Sequence, residues 1–497
     1  MTKRFKKILF FSICGLFIIV TPIVILYASG YRFDFDNMRI VQTGGLFFKI
    51  SPPGVMVYMN DEPYKKTSFF FDTALISGLL PKSYQISIQK NDYHSWEKEL
   101  AVEEKMVTEA KSIVLFPKNP LFNLAFKNIE ALFPAPDEKK AVVEIAADKG
   151  WSFASFDCQN QKQEQILAES DLQILESDNA PAITQKISGT EPTNIIWSSD
   201  SKRILIELDK KGEKQYLATE PSPNKGLFVI DRDNKIKKIS FNPNNSEEIF
   251  FLSSAPTASA AKTNSASKTA ESLSAIFIIR GNGEETALDF SDPSLKQNVL
   301  AYAIIDNYLV WLSESGLIYK GTINGDKISL TEILNVRPMT IKASANYQIL
   351  SKGLSNILLK EDEGLYRLNP EKRLLEKIFD SAKEIIFAKD MKKIAVNAGN
   401  QIWLYYLEEE KNQPQRNKEE KLLLYSSPQE ITNLYWLNNH YLIFRVNESI
   451  KITEIDNRCK PNLLELTTFP NLAIFWLSNK LFVLSNNNLF FSEDVVK

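Results

Sequence analysis

One phrase returns down this chain: an apolar run ending in an aromatic, a short polar turn, then a second β-prone run. It is clearest at Trp197-Ser198-Ser199-Asp200-Ser201-Lys202-Arg203, which leads into Ile204-Leu205-Ile206. Fuller copies lie at Phe133-Pro134-Ala135-Pro136-Asp137-Glu138-Lys139, Phe241-Asn242-Pro243-Asn244-Asn245 and Phe387-Ala388-Lys389-Asp390-Met391-Lys392. Shorter ones sit near Tyr302, Tyr347, Tyr435 and Phe475. That makes about eight units roughly 40 to 65 residues apart, a period at which single units bury their apolar faces only against neighbours.

Several units continue alike after the second run. Gln401-Ile402-Trp403-Leu404-Tyr405, Ser449-Ile450-Lys451-Ile452 and Asn488-Leu489-Phe490-Phe491 read as third strands, and a more variable fourth is expected. Four antiparallel strands per unit, arranged radially, make a β-propeller, whose closure leaves only short edges to protect. Seven or eight blades are expected, the count favouring eight. The turn has a physical logic: the Asp carboxylate accepts from a backbone N–H two residues on, and the following Lys stays in water. The aromatic before it is expected to pack between adjacent sheets. This pattern resembles the TolB-like and WD40-like propeller repeat, Trp-Ser-Pro-Asp-Gly-Lys, over residues 121–497. Ser201, Glu138 and Met391 stand where that repeat has Gly. The last unit runs out after its third strand, so residues 121–126 are expected to supply the fourth. Residues 253–274, rich in Ser, Ala and Thr, read as a disordered insert. Residues 159–190 and the charge run 408–421 read as solvated blade-edge loops.

The N-terminus carries a different signal. Lys3, Arg4, Lys6 and Lys7 precede an apolar run at residues 8–28. About 21 residues rising 1.5 Å each give roughly 31 Å, enough to cross the hydrocarbon core. Leu26 spoils a small-x-small cleavage pattern ending at Ala28, and the run is long for a signal peptide. An uncleaved signal-anchor is therefore expected, with residues 1–7 cytoplasmic and everything after the helix extracytoplasmic. The lipid bilayer is the first expected partner, through residues 8–28, with 29–45 a linker.

Residues 46–118 read as a compact β-sandwich. Tyr84-Gln85-Ile86-Ser87-Ile88-Gln89 alternates as a half-buried strand does, and residues 96–102 and 112–116 read as two more. Ser51-Pro52-Pro53-Gly54-Val55, with Val57-Tyr58, Leu80-Pro81-Lys82-Ser83-Tyr84 and Lys90-Asn91-Asp92-Tyr93 ahead of Trp96, resembles the PEGA domain, a small sandwich of surface proteins. The resemblance implies a non-catalytic spacer or adhesion module. Ser83 and Asp92 replace two of its usual glycines, and Thr67-Ser68 stands for its Gly-x-Thr-Pro turn.

Chemistry is sparse. Lys+Arg total 59 against 61 Asp+Glu, so net charge is close to zero and a dedicated nucleic-acid binder, which needs a concentrated basic face, is not expected. Cys14 lies in the apolar run, and Cys158 and Cys459 read as unrelated thiols. There is no nucleophile elbow, Walker loop or zincin motif. The two histidines, His94 and His440, sit where solvent suits them better than a triad. Glu361-Asp362-Glu363 reads as a wet acidic loop. No catalytic, cofactor or metal-binding residue is nominated, and no cofactor is expected. The expectation is a membrane-anchored extracytoplasmic scaffold of the cell envelope, binding a protein or surface polymer through propeller loops. The alternatives are a propeller hydrolase or lyase with a site at its channel, and an envelope sensor or assembly factor with a membrane partner.

Overall fold

The computed structural model describes residues 3–67, 72–146, 150–170, 190–222, 228–230, 236–253, 274–281, 284–291 and 298–496. The N-terminal run is one helix, Lys3–Ala28, with Pro22 inside it. Among the described residues, nothing buries its apolar stretch Phe5–Ala28 beyond the contact of Arg32 with Tyr27 near its end. A two-stranded hairpin follows at once, Tyr31–Asp34 against Arg39–Gln42.

Two sheets then face each other. Thr73–Leu79, Gly44–Ser51 and Val107–Val114 form one; Glu62–Lys66, Met56–Met59, Ser83–Gln89 and Trp96–Ala101 form the other. The strict alternation of Ser83–Gln89 buries Tyr84, Ile86 and Ile88 between them. Asp92 takes the left-handed conformation expected of the glycine it replaces, at φ 67°. Thr67 is buried, and its hydroxyl accepts from the Gly54 and Val55 amides at 3.1 and 2.9 Å. Gly44 is needed for space: a Cβ there would lie 2.2 Å from the Glu103 carbonyl oxygen.

Among the described residues, eight sheets follow, each opened by one copy of the repeated phrase. Their first strands are Ile129–Pro134, Glu191–Trp197, Ile236–Asn242, Val299–Ile305, Tyr347–Ser351, Glu384–Phe387, Ile431–Asn438 and Leu472–Leu477, here blades one to eight. Blade four carries a fifth strand, Asp289–Phe290, parallel to Lys327–Ile333. The core lies between sheets. Trp197 packs against blade one and donates to the Phe133 carbonyl at 3.1 Å, while Trp436 does the same to Ile386 of blade six at 3.2 Å. Closure comes from the N-terminal side. Asn123–Lys127 pairs antiparallel with Asn488–Ser492 and becomes the outer strand of blade eight. The ring is a β-propeller.

The solvated-loop reading of 159–190 is corrected over its first part: Lys162–Ala168 is the fourth strand of blade one, because Ile166 and Leu167 bury against blade two. The rest of that stretch, at 171–189, and the expected insert at 254–273 lie outside the described residues. The charge run 408–421 departs from its reading as a solvated edge. Gln413 there accepts from the Glu109 amide at 2.8 Å and donates to the Val107 carbonyl at 3.2 Å, gripping an edge of the sandwich. The run is polar because it makes a polar interface.

Candidate binding faces of the ring

The turn of each repeated phrase emerges at one end of the ring. Asp137, Asp200 and Asp390 accept from the amides of Lys139, Lys202 and Lys392 at 2.9, 3.1 and 3.0 Å, as the turn chemistry requires. The residues between them, Glu138, Ser201 and Met391, all lie near φ 60°, the conformation that favours glycine in the repeat they resemble. Neighbouring turns are stitched together. The Asp137 amide donates to Ser201 Oγ at 3.2 Å, Ser246 Oγ to Asp200 at 3.0 Å, the Asp390 amide to Asn439 at 3.0 Å and Ser478 Oγ to the Glu138 carbonyl at 2.8 Å. Lys389 of blade six reaches Glu138 of blade one at 3.4 Å. Beneath that pair opens a cavity of about 520 Å³, walled by Phe387, Tyr435, Trp436 and Trp476, with Lys352 and Asp137 at its rim. Aromatic walls with a few charges suit the apolar side chains of a peptide or the faces of sugar rings. The charged lining also includes the Lys389–Glu138 pair itself.

The second face is the seam between sandwich and ring. Lys98 points inward from the Trp96–Ala101 strand with a fully covered side chain. It ion-pairs with Glu454 of blade seven and donates to the Asp456 carbonyl at 2.6 Å. Trp96 Nε1 donates to Glu454 at 2.8 Å, and the Asn462 side chain donates to both Glu454 and the Glu97 carbonyl. Burial raises the Glu454 pKa, although Lys98, Trp96 and Asn462 all pull it down. Phe116 completes the seam, edge-on to Tyr441 at 5.3 Å, and the Tyr441 hydroxyl accepts from the Val114 amide at 3.1 Å. A small cavity of about 80 Å³ remains there, touching His440 and Lys393. The His440 residue is exposed at its rim; the protein bulk beside it and then Lys393 hold its pKa below the usual range.

His94 stands apart from both faces. It is half-buried, its amide donates to the Phe116 carbonyl at 2.8 Å, and burial lowers its pKa. The two histidines therefore do not meet at a shared site. Cys158 is buried between blades one and eight with its pKa pushed up to about 12, Cys459 is exposed, and no two cysteines are bonded. Glu361 corrects the wet-loop reading. It ends a strand, is buried, and accepts from Lys342, Tyr347 and Tyr366 at 3.0 Å each; only Asp362 and Glu363 belong to the turn. Two titratable groups carried no signal in the sequence. Burial, then the like charge of Glu130, pushes Glu144 up to about 7. Burial alone brings Lys238 down to about 8; its ammonium donates to the Tyr302 carbonyl at 2.5 Å. Among the described residues, no cluster of three or more potential metal ligands is present.

No family profile and no curated protein matches the chain. Solved structures do resemble it. Saccharomyces cerevisiae Sqt1 is 12% identical over 76% of this chain and 99% of its own, at a TM-score of 0.43. The β-propeller domain of Myceliophteria thermophila Cps50 (Swd1) is 9% identical over 70% and 100%, at 0.39. A prolyl endopeptidase is 10% identical over 73% of this chain and 55% of its own, at 0.42, so the chain spans about half that enzyme's length. None of these likenesses passes an activity to this protein.

Proposed function

We propose that the protein is a membrane-anchored extracytoplasmic scaffold of the cell envelope. In this reading residues 8–28 anchor it, the sandwich of residues 46–118 is a PEGA-like stalk, and the propeller of residues 121–497 presents a binding face to a protein or surface polymer. The observation that carries the reading is the bare helix. Its apolar side chains lie open in a molecule whose other large apolar groups are mostly packed, and a bilayer is the solvent that suits such a surface. Lys3, Arg4, Lys6 and Lys7 at the start of the helix favour a cytoplasmic N-terminus, with the rest outside. The seam around Lys98 joins stalk and ring into one body, and the aromatic-walled mouth between blades one and six to eight is the recognition face.

Cys459 supplies the test, because Cys158 is buried and Cys14 lies within the anchor. A membrane-impermeant maleimide should label Cys459 in sealed right-side-out membrane vesicles. Labelling that requires detergent would place the body on the cytoplasmic side and overturn the orientation. For the recognition face, Lys352→Glu, at an exposed residue of its lining, should lower binding of a crosslinked partner while leaving membrane extraction unchanged.

A further inference from the structure

The hairpin between anchor and sandwich carries a second apolar surface. Phe33 and Ile40 face each other across its two strands and are 41% and 61% exposed. Phe35 and Met38, at the tip, are 78% and 74% exposed, and the Phe33 and Phe35 rings meet edge to face at 4.9 Å. The hairpin's other face is spent: Asp34 and Val41 are buried. Four large apolar side chains clustered on a twelve-residue element form a concentrated patch, and nothing else among the described residues covers it.

The patch is also held in a fixed place. Asp34 accepts from the Asp36 and Asn37 amides and from the Asn37 side chain, which shapes the tip. At the base, the Thr43 amide and hydroxyl both donate to the Gly30 carbonyl at 2.9 Å, and the Gln42 side chain donates to Ser29. Arg32 donates to the Tyr27 carbonyl at 2.8 Å and lies over the Tyr27 ring, 3.4 Å from its centroid. The hairpin is thus strapped to the last turn of the helix, not hung from a loose tether. Five residue steps separate Ala28 from Phe33, so the patch begins within about 18 Å of the point where the helix ends.

We infer that this face lies in the headgroup–acyl boundary of the same bilayer that the helix crosses. The inference rests on the anchor reading above and deepens it. Its occupant is lipid because the patch is continuous with the membrane-crossing surface. Aromatic rings such as those of Phe33 and Phe35 are favoured at that depth. The helix fixes only a position in the membrane; a second contact also fixes the direction in which the stalk leaves it.

The test uses the full chain with Cys14→Ser and Cys459→Ser, a Phe35→Cys substitution, and an environment-sensitive fluorophore on the new thiol. The protein is reconstituted into phosphatidylcholine–phosphatidylglycerol vesicles. Emission should shift to the blue, and lipids spin-labelled near the headgroup should quench it roughly threefold more than the same label at Lys202, which is exposed at the ring's mouth. Emission and quenching equal to those at Lys202, in protein that floats with the vesicles, would overturn the hairpin inference and leave the anchor standing. A blue shift without lipid quenching would mean a protein cover, from a second copy or another chain, and would also overturn it. Protein that fails to float would remove both readings.

Discussion

Two lysines in two parts of the molecule, Lys98 buried and Lys238 half-buried, meet opposite surroundings. Lys98, at the seam between sandwich and blade seven, has Glu454 and Asp456 as counter-charges and a carbonyl as a further acceptor. Lys238, in the wall between blades three and four, has the Tyr302 carbonyl and the Tyr302 ring at 5.0 Å, and burial is the whole cause of its lowered pKa. Both ammonium groups lost water on folding. At the seam the loss is offset by partners from another domain, so the charge orients one domain on the other. In the wall it is offset only in part. Burial of a charge therefore says little about stability until its partners are counted.

The largest effect is expected at the seam. Lys98→Met leaves Glu454 buried without its counter-ion and should cost about 3–5 kcal/mol in urea denaturation of the detergent-solubilised chain. Lys98→Met with Glu454→Leu removes both charges and should return to within about 1 kcal/mol of the parent; a Lys98→Met variant as stable as the parent would break the contrast. Lys238→Met should act with the opposite sign. At pH 7 the ammonium is charged in both folded and unfolded states and its burial cost is fully present, so the variant should gain up to about 3 kcal/mol. Between about pH 8 and 10.5 the folded protein sheds this proton first. The unfolded state then binds more protons, the parent's stability rises with pH, and the variant's advantage should fade across that window.

A third lysine sharpens the series. Lys393 has one carboxylate, Asp390 at 2.7 Å, and lies over the Trp436 ring at 5.9 Å. Asp390→Asn should cost about 2 kcal/mol, between the other two cases. The smallest effect concerns no charge at all. Met391→Gly removes a left-handed strain at φ 61° but adds unfolded-state entropy, and should gain about 0.5 kcal/mol.

The turns and blade hairpins were legible because their causes are local. Within Trp197–Lys202 the aromatic, the Asp and also Ser198, whose hydroxyl accepts from the Lys202 and Arg203 amides, shape the turn from residues a few positions apart. The seam was not legible as a partnership, since Trp96 and Glu454 lie 358 residues apart. One half of it was written plainly, however. In the Trp96–Ala101 strand the buried positions are Trp96, Lys98 and Leu100, so the period of two puts a lysine in an apolar row. A charge on the inner phase of a strand is the signal of a partner from elsewhere. The ring mouth was hidden for the same reason: Lys389 and Glu138 are 251 residues apart. Glu361 was misjudged because three adjacent acids suggest a loop, while the first of them ends a strand facing two tyrosines.

The strand Asn123–Lys127 that closes the ring is also the ring's mechanical weak point. Pulled from its N-terminal end, it would peel from blade eight one hydrogen bond at a time. The chain does not present it that way. Phe116 is wedged against Tyr441, and Phe122 packs edge-on to Phe469 at 5.0 Å, just ahead of the closing strand. A tug on the helix is thus taken up by blades seven and eight, through Lys98, Trp96 and these rings, before it reaches residue 123. The latch is spared the load, and the ring stays shut.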